Sequence, residues 1–124
     1  MNKNKMGSAV GIGLIFVAML SMIAMPAFVV AEESGYVEHW ERYDKLTWHV
    51  RAYAAGGFDN NNIFTSHTWD QDLSGATRTG GSVDFKSTEI IVVVDARSYL
   101  GNNVRVTSWV KSTPPSSGGS AVPL

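Results

Sequence analysis

The sequence predicts a small all-β domain, an antiparallel β-sandwich or barrel of about five or six strands, behind an N-terminal apolar helix. Three observations predict it. Residues 46–54 alternate, with Leu46, Trp48, Val50, Ala52 and Ala54 on one side and Thr47, His49, Arg51 and Tyr53 on the other. A two-residue period belongs to a strand with one buried face. Ile90, Ile91, Val92, Val93 and Val94 form an unbroken β-branched run, which disfavours helix and reads as a central strand covered on both faces. Turn-forming clusters at Asp59-Asn60-Asn61-Asn62 and Gly101-Asn102-Asn103 punctuate these runs.

The remaining elements follow in order. Residues 32–45 are polar, and Val37, Trp40 and Tyr43 or Asp44 fall at helical spacing, which predicts a short helical turn or an irregular lead-in. Gly56-Gly57 ends the 46–54 strand, and Ile63 to Trp69 forms its return. Residues 70–81 read as a loop punctuated by Gly75 and Gly80-Gly81. Val83 and Phe85 alternate over 82–86, and Val104, Val106 and Val110 alternate with Arg105, Thr107 and Trp109, pairing with 89–96 as a hairpin. The β domain thus spans 46–112, and the Pro, Ser and Gly-rich residues 113–124 read as a disordered tail.

Residues 1–31 have the layout of a signal peptide. Lys3 and Lys5 precede an uncharged run from Gly7 to Met25, and Pro26 ends the apolar helix. Val29 and Ala31 are small enough for the −3 and −1 positions of a cut before Glu32. The expected localisation is secreted or cell surface. Two alternatives stay open: a retained membrane anchor, since a span needs roughly 20 apolar residues, and a filament subunit. The string Gly11-Ile12-Gly13-Leu14-Ile15-Phe16-Val17-Ala18-Met19 resembles the start of archaellins, the type IV pilin-like subunits of archaeal swimming filaments. The resemblance implies a cut near Lys5-Met6-Gly7 and a helix retained in a filament core. Pro26 departs from the uninterrupted helix of that family.

Without the leader, eight basic residues face eleven acidic ones, and the chain holds no cysteine. No basic stripe exists to neutralise phosphates, which excludes nucleic acid as the expected partner, and the balance also opposes a cationic membrane-lytic peptide. A small exported domain without disulfides draws its stability from aromatic and β-branched packing, or from a partner chain.

Candidate chemistry is sparse. A hairpin of 46–54 with 63–69 would bring His49 near His67, with Glu38, Asp70 or Asp72 as further ligands, but no metal-ligand spacing is present. Asp59-Asn60-Asn61-Asn62 lacks the glycine and distant glutamate of a helix-loop-helix calcium loop, and Asp70 and Asp72, flanking Gln71, are the residues that could join Asp59 around an ion. No nucleophile elbow or phosphate loop occurs, so neither catalytic residues nor a cofactor is assigned. Aromatic side chains with neighbouring arginines carry more meaning, because such residues dominate interface energetics. Trp48 is expected in the core, and the contact residues are expected to be Trp109, Tyr53, Arg51, Arg105 and Trp69. The expected function is that of an exported, non-catalytic binding, structural or assembly module. Its expected partner is a protein or cell surface, a second copy of itself included, and the membrane is met only during export. A small secreted effector or bacteriocin is the third alternative.

Overall fold

The computed structural model describes residues 34–124. The apolar leader and the cut before Glu32 lie outside the described residues. The described chain is all-β, with two antiparallel sheets. Sheet A is β1 (Gly35–Asp44), β2 (His49–Phe58) and β3 (Phe64–Ser74), in that spatial order. Sheet B is β4 (Ala76–Phe85), β5 (Glu89–Ser98), β6 (Asn103–Ser112) and β7 (Pro115–Pro123), also in chain order.

The two sheets pack through the alternating faces. β2 contributes Val50, Ala52 and Ala54, and β5 and β6 contribute Ile90, Val92, Val94, Val104, Val106 and Val110, all essentially inaccessible. The alanines of β2 let sheet A approach the branched side chains of sheet B closely. Trp48 stacks on Tyr43 at one end of this core, and Phe58 meets Phe64 edge-on at the other. Two buried serines tie the sheets together: Ser108 Oγ donates to the His39 carbonyl, and Ser112 Oγ donates to the Asn62 carbonyl.

Turn chemistry read from the sequence operates at Asp59, whose Oδ1 accepts the amides of Asn61 and Ile63, while Asn62 takes a left-handed φ of 60°. The crossing between sheets occupies a single residue, Gly75, with φ of 66°. A Cβ there would lie 2.9 Å from Trp48 Cβ and 3.0 Å from the Thr47 carbonyl, so only glycine fits the corner.

The structure corrects several expectations. The described residues form seven strands. Residues 35–44 form strand β1 rather than a lead-in or helical turn, with Val37 and Tyr43 packed on the core. Residues 70–81 lie largely in β3 and β4. Both are edge strands whose side chains are mostly exposed, with Phe64, Leu73, Ala76 and Val83 reaching the core, so their amphipathic signal is weak. Residues 115–123 form β7, paired to β6 from Ser112↔Pro115 to Val104↔Pro123. Composition reports what a chain can bury. A strand held by backbone hydrogen bonds to a neighbour need bury little, which is why a Ser/Gly-rich segment is ordered here. β2 also continues through Gly56-Gly57 to Phe58, since Phe64 and Ile90 fill the space a Cβ at Gly56 would need. Leu46, expected to face inward, sits fully exposed in the β1–β2 turn. β5 is an interior strand as expected, its outward Ile91 and Val93 half-buried.

Candidate functional site

Register decides which side chains meet on the outer face of sheet A. Trp40 stands directly opposite Tyr53, and Glu38 opposite Ala55. The alternation that buries Val50, Ala52 and Ala54 turns His49, Arg51 and Tyr53 outward, and the same parity on β1 turns out Tyr36, Glu38, Trp40, Arg42 and Asp44. The Trp40 and Tyr53 rings lie 4.7 Å apart at 31°, a cross-strand aromatic pair. Tyr53 Oη donates to Glu38 Oε1 at 2.6 Å, and Tyr36 Oη lies 3.3 Å from Tyr53 Oη. Partial burial, then the hydrogen bonds to Glu38 and Tyr36, push the Tyr53 phenol well above its ordinary range, so it remains a donor. The result is an aromatic platform with one oriented carboxylate on the outer face of sheet A.

Beside it lies a charged cluster. Arg51 donates from Nε and Nη2 to the two oxygens of Asp44, at 3.0 and 3.1 Å, and from Nη1 to Asp72 at 3.2 Å. This fork offsets the opposition of Arg51 to Arg42 across the β1–β2 pair. His49 Nε2 comes within 3.1 Å of Asp72 Oδ1 but is not aligned for a hydrogen bond. The Arg51 hydrogen bonds hold the Asp44 carboxyl below the usual 3.8, and those of Arg105 do the same for Asp95. A carboxyl with a depressed folded-state pKa stabilises the fold above its unfolded pKa and loses that contribution as pH falls through the folded value. The melting temperature is therefore expected to fall as pH drops below about 4. The Asp44→Asn/Asp95→Asn double variant is expected to show a flatter profile by circular dichroism, and an equally steep one would refute the assignment.

The five residues singled out from the sequence do not share one surface. Tyr53 and Arg51 lie on the outer face of sheet A. Trp109 and Arg105 lie on the outer face of sheet B. Trp109 pairs across strands with Ile91 and Gly118 and lies flat over Gly118, with Lys111 Nζ 5.3 Å from its ring. Arg105 is bound bidentately to Asp95, at 2.7 and 2.9 Å, the residue opposite it in register. Trp69 shares the inner side of sheet A with Ala54, at the open flank of the domain, where the Arg78 guanidinium covers it at 5.5 Å. Tyr36, Glu38 and Trp40 were missed because 32–45 was read at helical spacing. The two-residue spacing of Tyr36, Glu38 and Trp40 was the available signal.

The histidines are dispersed. His49 pairs with Ser74 and His67 with Gly56, at opposite ends of the β2–β3 ladder, so the approach expected of the hairpin does not occur. Among the described residues no group of three or more His, Asp or Glu side chains converges as a metal site. His39 Nε2 and Glu41 Oε1 are 2.7 Å apart near Ser108, but the fully buried Ser108 hydroxyl donates to the His39 carbonyl and not to its ring. The three do not form a nucleophile relay. At the end of the domain carrying the β1–β2 and β5–β6 turns, Tyr43, Leu46, Trp48, Leu100 and Leu124 border an open groove of about 530 Å³.

No protein-family model, curated protein or solved structure matches the chain.

Proposed function

We propose that the chain is an exported, non-catalytic β domain that acts by surface contact, with the outer face of sheet A as its contact face. One observation carries this reading: Tyr36, Trp40 and Tyr53 gather on the outer face of β1 and β2 around the Glu38 carboxylate. Tyrosine and tryptophan bring large apolar area with few rotatable bonds and keep a polar tip, which suits a surface that must be wet when free and covered when bound. A face built from side chains spread over two neighbouring strands suits a protein or cell-surface partner better than a small molecule. Export rests on the leader of the sequence.

The test uses the secreted protein and the cell envelope of its own host. Fluorescently labelled protein is mixed with envelope fractions, and the bound share is measured. Trp40→Ala and the Tyr36→Ala/Glu38→Ala double variant are each expected to lower apparent affinity about tenfold, the size of one well-packed aromatic contact. Equal retention by both variants and wild type would remove the contact face. Intact mass of the protein recovered from the host is expected to place its N-terminus at Glu32. Recovery beginning at Ser8 would instead support a filament subunit, and an intact Met1 an anchored one.

A further inference from the structure

We infer that the free edge of β3 is a strand-addition site for an extended peptide in which apolar and basic residues alternate. β3 is an edge strand of sheet A, eleven residues long, and pairs only with β2. Its ends are tied down, Phe64 N to the Ser87 carbonyl and the Gly75 carbonyl to Tyr99 N. Between them the Gln71 amide takes the carboxylate of its own neighbour, Asp70 Oδ1, at 2.7 Å. That amide therefore points away from β2. Antiparallel ladders alternate, so the backbone groups of Trp69 and Leu73 point the same way. They form a row of donors and acceptors for one more strand.

The other sheet edges are protected by means that β3 lacks. β7 is bounded by Pro115 and Pro123. β4 is broken by a register shift between Arg78 and Gly80, with Arg78 Nε folded onto the Gly80 carbonyl. β1 carries charges of both signs, Glu38, Glu41, Arg42 and Asp44, whereas the carboxylates of β3 leave its edge acidic. β3 has no proline, lysine or arginine, and its pairing is regular from Ser66 to Ser74.

Two further features define the occupant. On the inner side, Trp69 and Phe85 are 37% and 45% exposed although each sits opposite a fully buried residue, Ala54 and Ile90. His67 lies 5.1 Å from Phe85, and Val83 packs on the core beside them. Sheet A has three strands and sheet B four, so an added strand would cover this apolar flank. On the outer side the next strand meets Asp70 and Asp72. Asp70 is exposed and has no cationic partner among the described residues. The inner residues of the incoming strand thus lie beside Trp69, Leu73 and Phe85, with Gln71 held by Arg78 between them, and its outer residues lie beside Asp70 and beside Asp72, which Arg51 already binds. That charge complementarity selects a basic peptide over a second copy, whose own β3 edge is acidic.

Fluorescence anisotropy with labelled (Lys-Val)4 tests the site on the full secreted protein. Saturable binding is expected, weaker by about tenfold for (Glu-Val)4. It is expected to vanish for (Lys-Val)4 methylated at alternate backbone nitrogens, which keeps the charge but cannot pair. Asp70→Lys and Phe85→Ser are each expected to weaken binding about tenfold. Both positions are exposed, and unchanged melting temperatures will show that the variants remain folded. Hydrogen exchange of the Trp69 and Leu73 amides should slow when peptide is added, and Trp40→Ala should leave peptide binding unchanged. No saturable binding, equal binding of the methylated peptide, or insensitivity to Asp70→Lys would each overturn the proposal. So would a concentration-dependent dimer, seen by sedimentation, that Asp70→Lys disrupts.

Discussion

Ile90→Ala is expected to destabilise the domain by about 3 kcal/mol, the middle of the range for removing a large aliphatic side chain from a packed core. Ile90 is fully buried on β5, and its Cδ1 reaches across to sheet A, filling the space above Gly56. Glycine cannot extend into the void left behind, and Phe64, the other neighbour at that point, is held by Phe58. A small domain has total stability of about 5–15 kcal/mol, so the loss is a large fraction of it. Urea denaturation will read it as a lower midpoint with unchanged slope. A change under about 1 kcal/mol would mean that the sheets close around the void. Gly56→Ala alone also destabilises, because its Cβ would come within 2.7 Å of Ile90 Cδ1. In the Ile90→Ala background the Ile90 contact is gone while Phe64 Cδ1 still stands 2.7 Å from that Cβ, so the double variant is expected to recover part of the Gly56→Ala cost.

Gly81→Ala is expected to cost a similar amount for a different reason. Gly81 has φ of 122°, a region closed to residues with a Cβ, and a Cβ there would stand 2.0 Å from the Val93 carbonyl oxygen. The residue completes the irregular stretch of β4 that follows Arg78. Accommodating alanine means moving the β4 backbone away from β5, with a loss of about 3 kcal/mol. Faster hydrogen exchange confined to β4 and the facing amides of β5 would locate the damage. A variant as stable as wild type would show that the stretch can rebuild without its left-handed residue.

The elements that the sequence disclosed are those whose side chains divide between core and solvent. Val50, Ala52 and Ala54 alternate because one face of β2 is buried, and Ile90 to Val94 are branched because β5 lies inside its sheet. β4 left only the short alternation of Val83 and Phe85, and β7 left none: β7 is ordered chiefly through its ladder to β6, and backbone hydrogen bonds are blind to side-chain composition. β1 does alternate, at Tyr36, Glu38 and Trp40, but Val37, Trp40 and Tyr43 also match a helical repeat, and only its pairing with β2 resolves the two periods.

The outer face of sheet A divides along the same line. Tyr53 and Arg51 were legible as outward residues of an amphipathic strand. Their partners Trp40, Glu38 and Asp44 lie a strand away, and nothing local to β2 names them. Trp109 and Arg105 were also legible as outward, but the sequence could not say that their outward side belongs to the other sheet. By itself the sequence determined the all-β class, the composition of the core and the parity of its amphipathic strands, because these follow from burial at a two-residue period. Only the tertiary structure decided which strands are edges, which outer faces oppose one another and which residues meet across strands, because register and sheet order are set by long-range backbone pairing that no local pattern encodes.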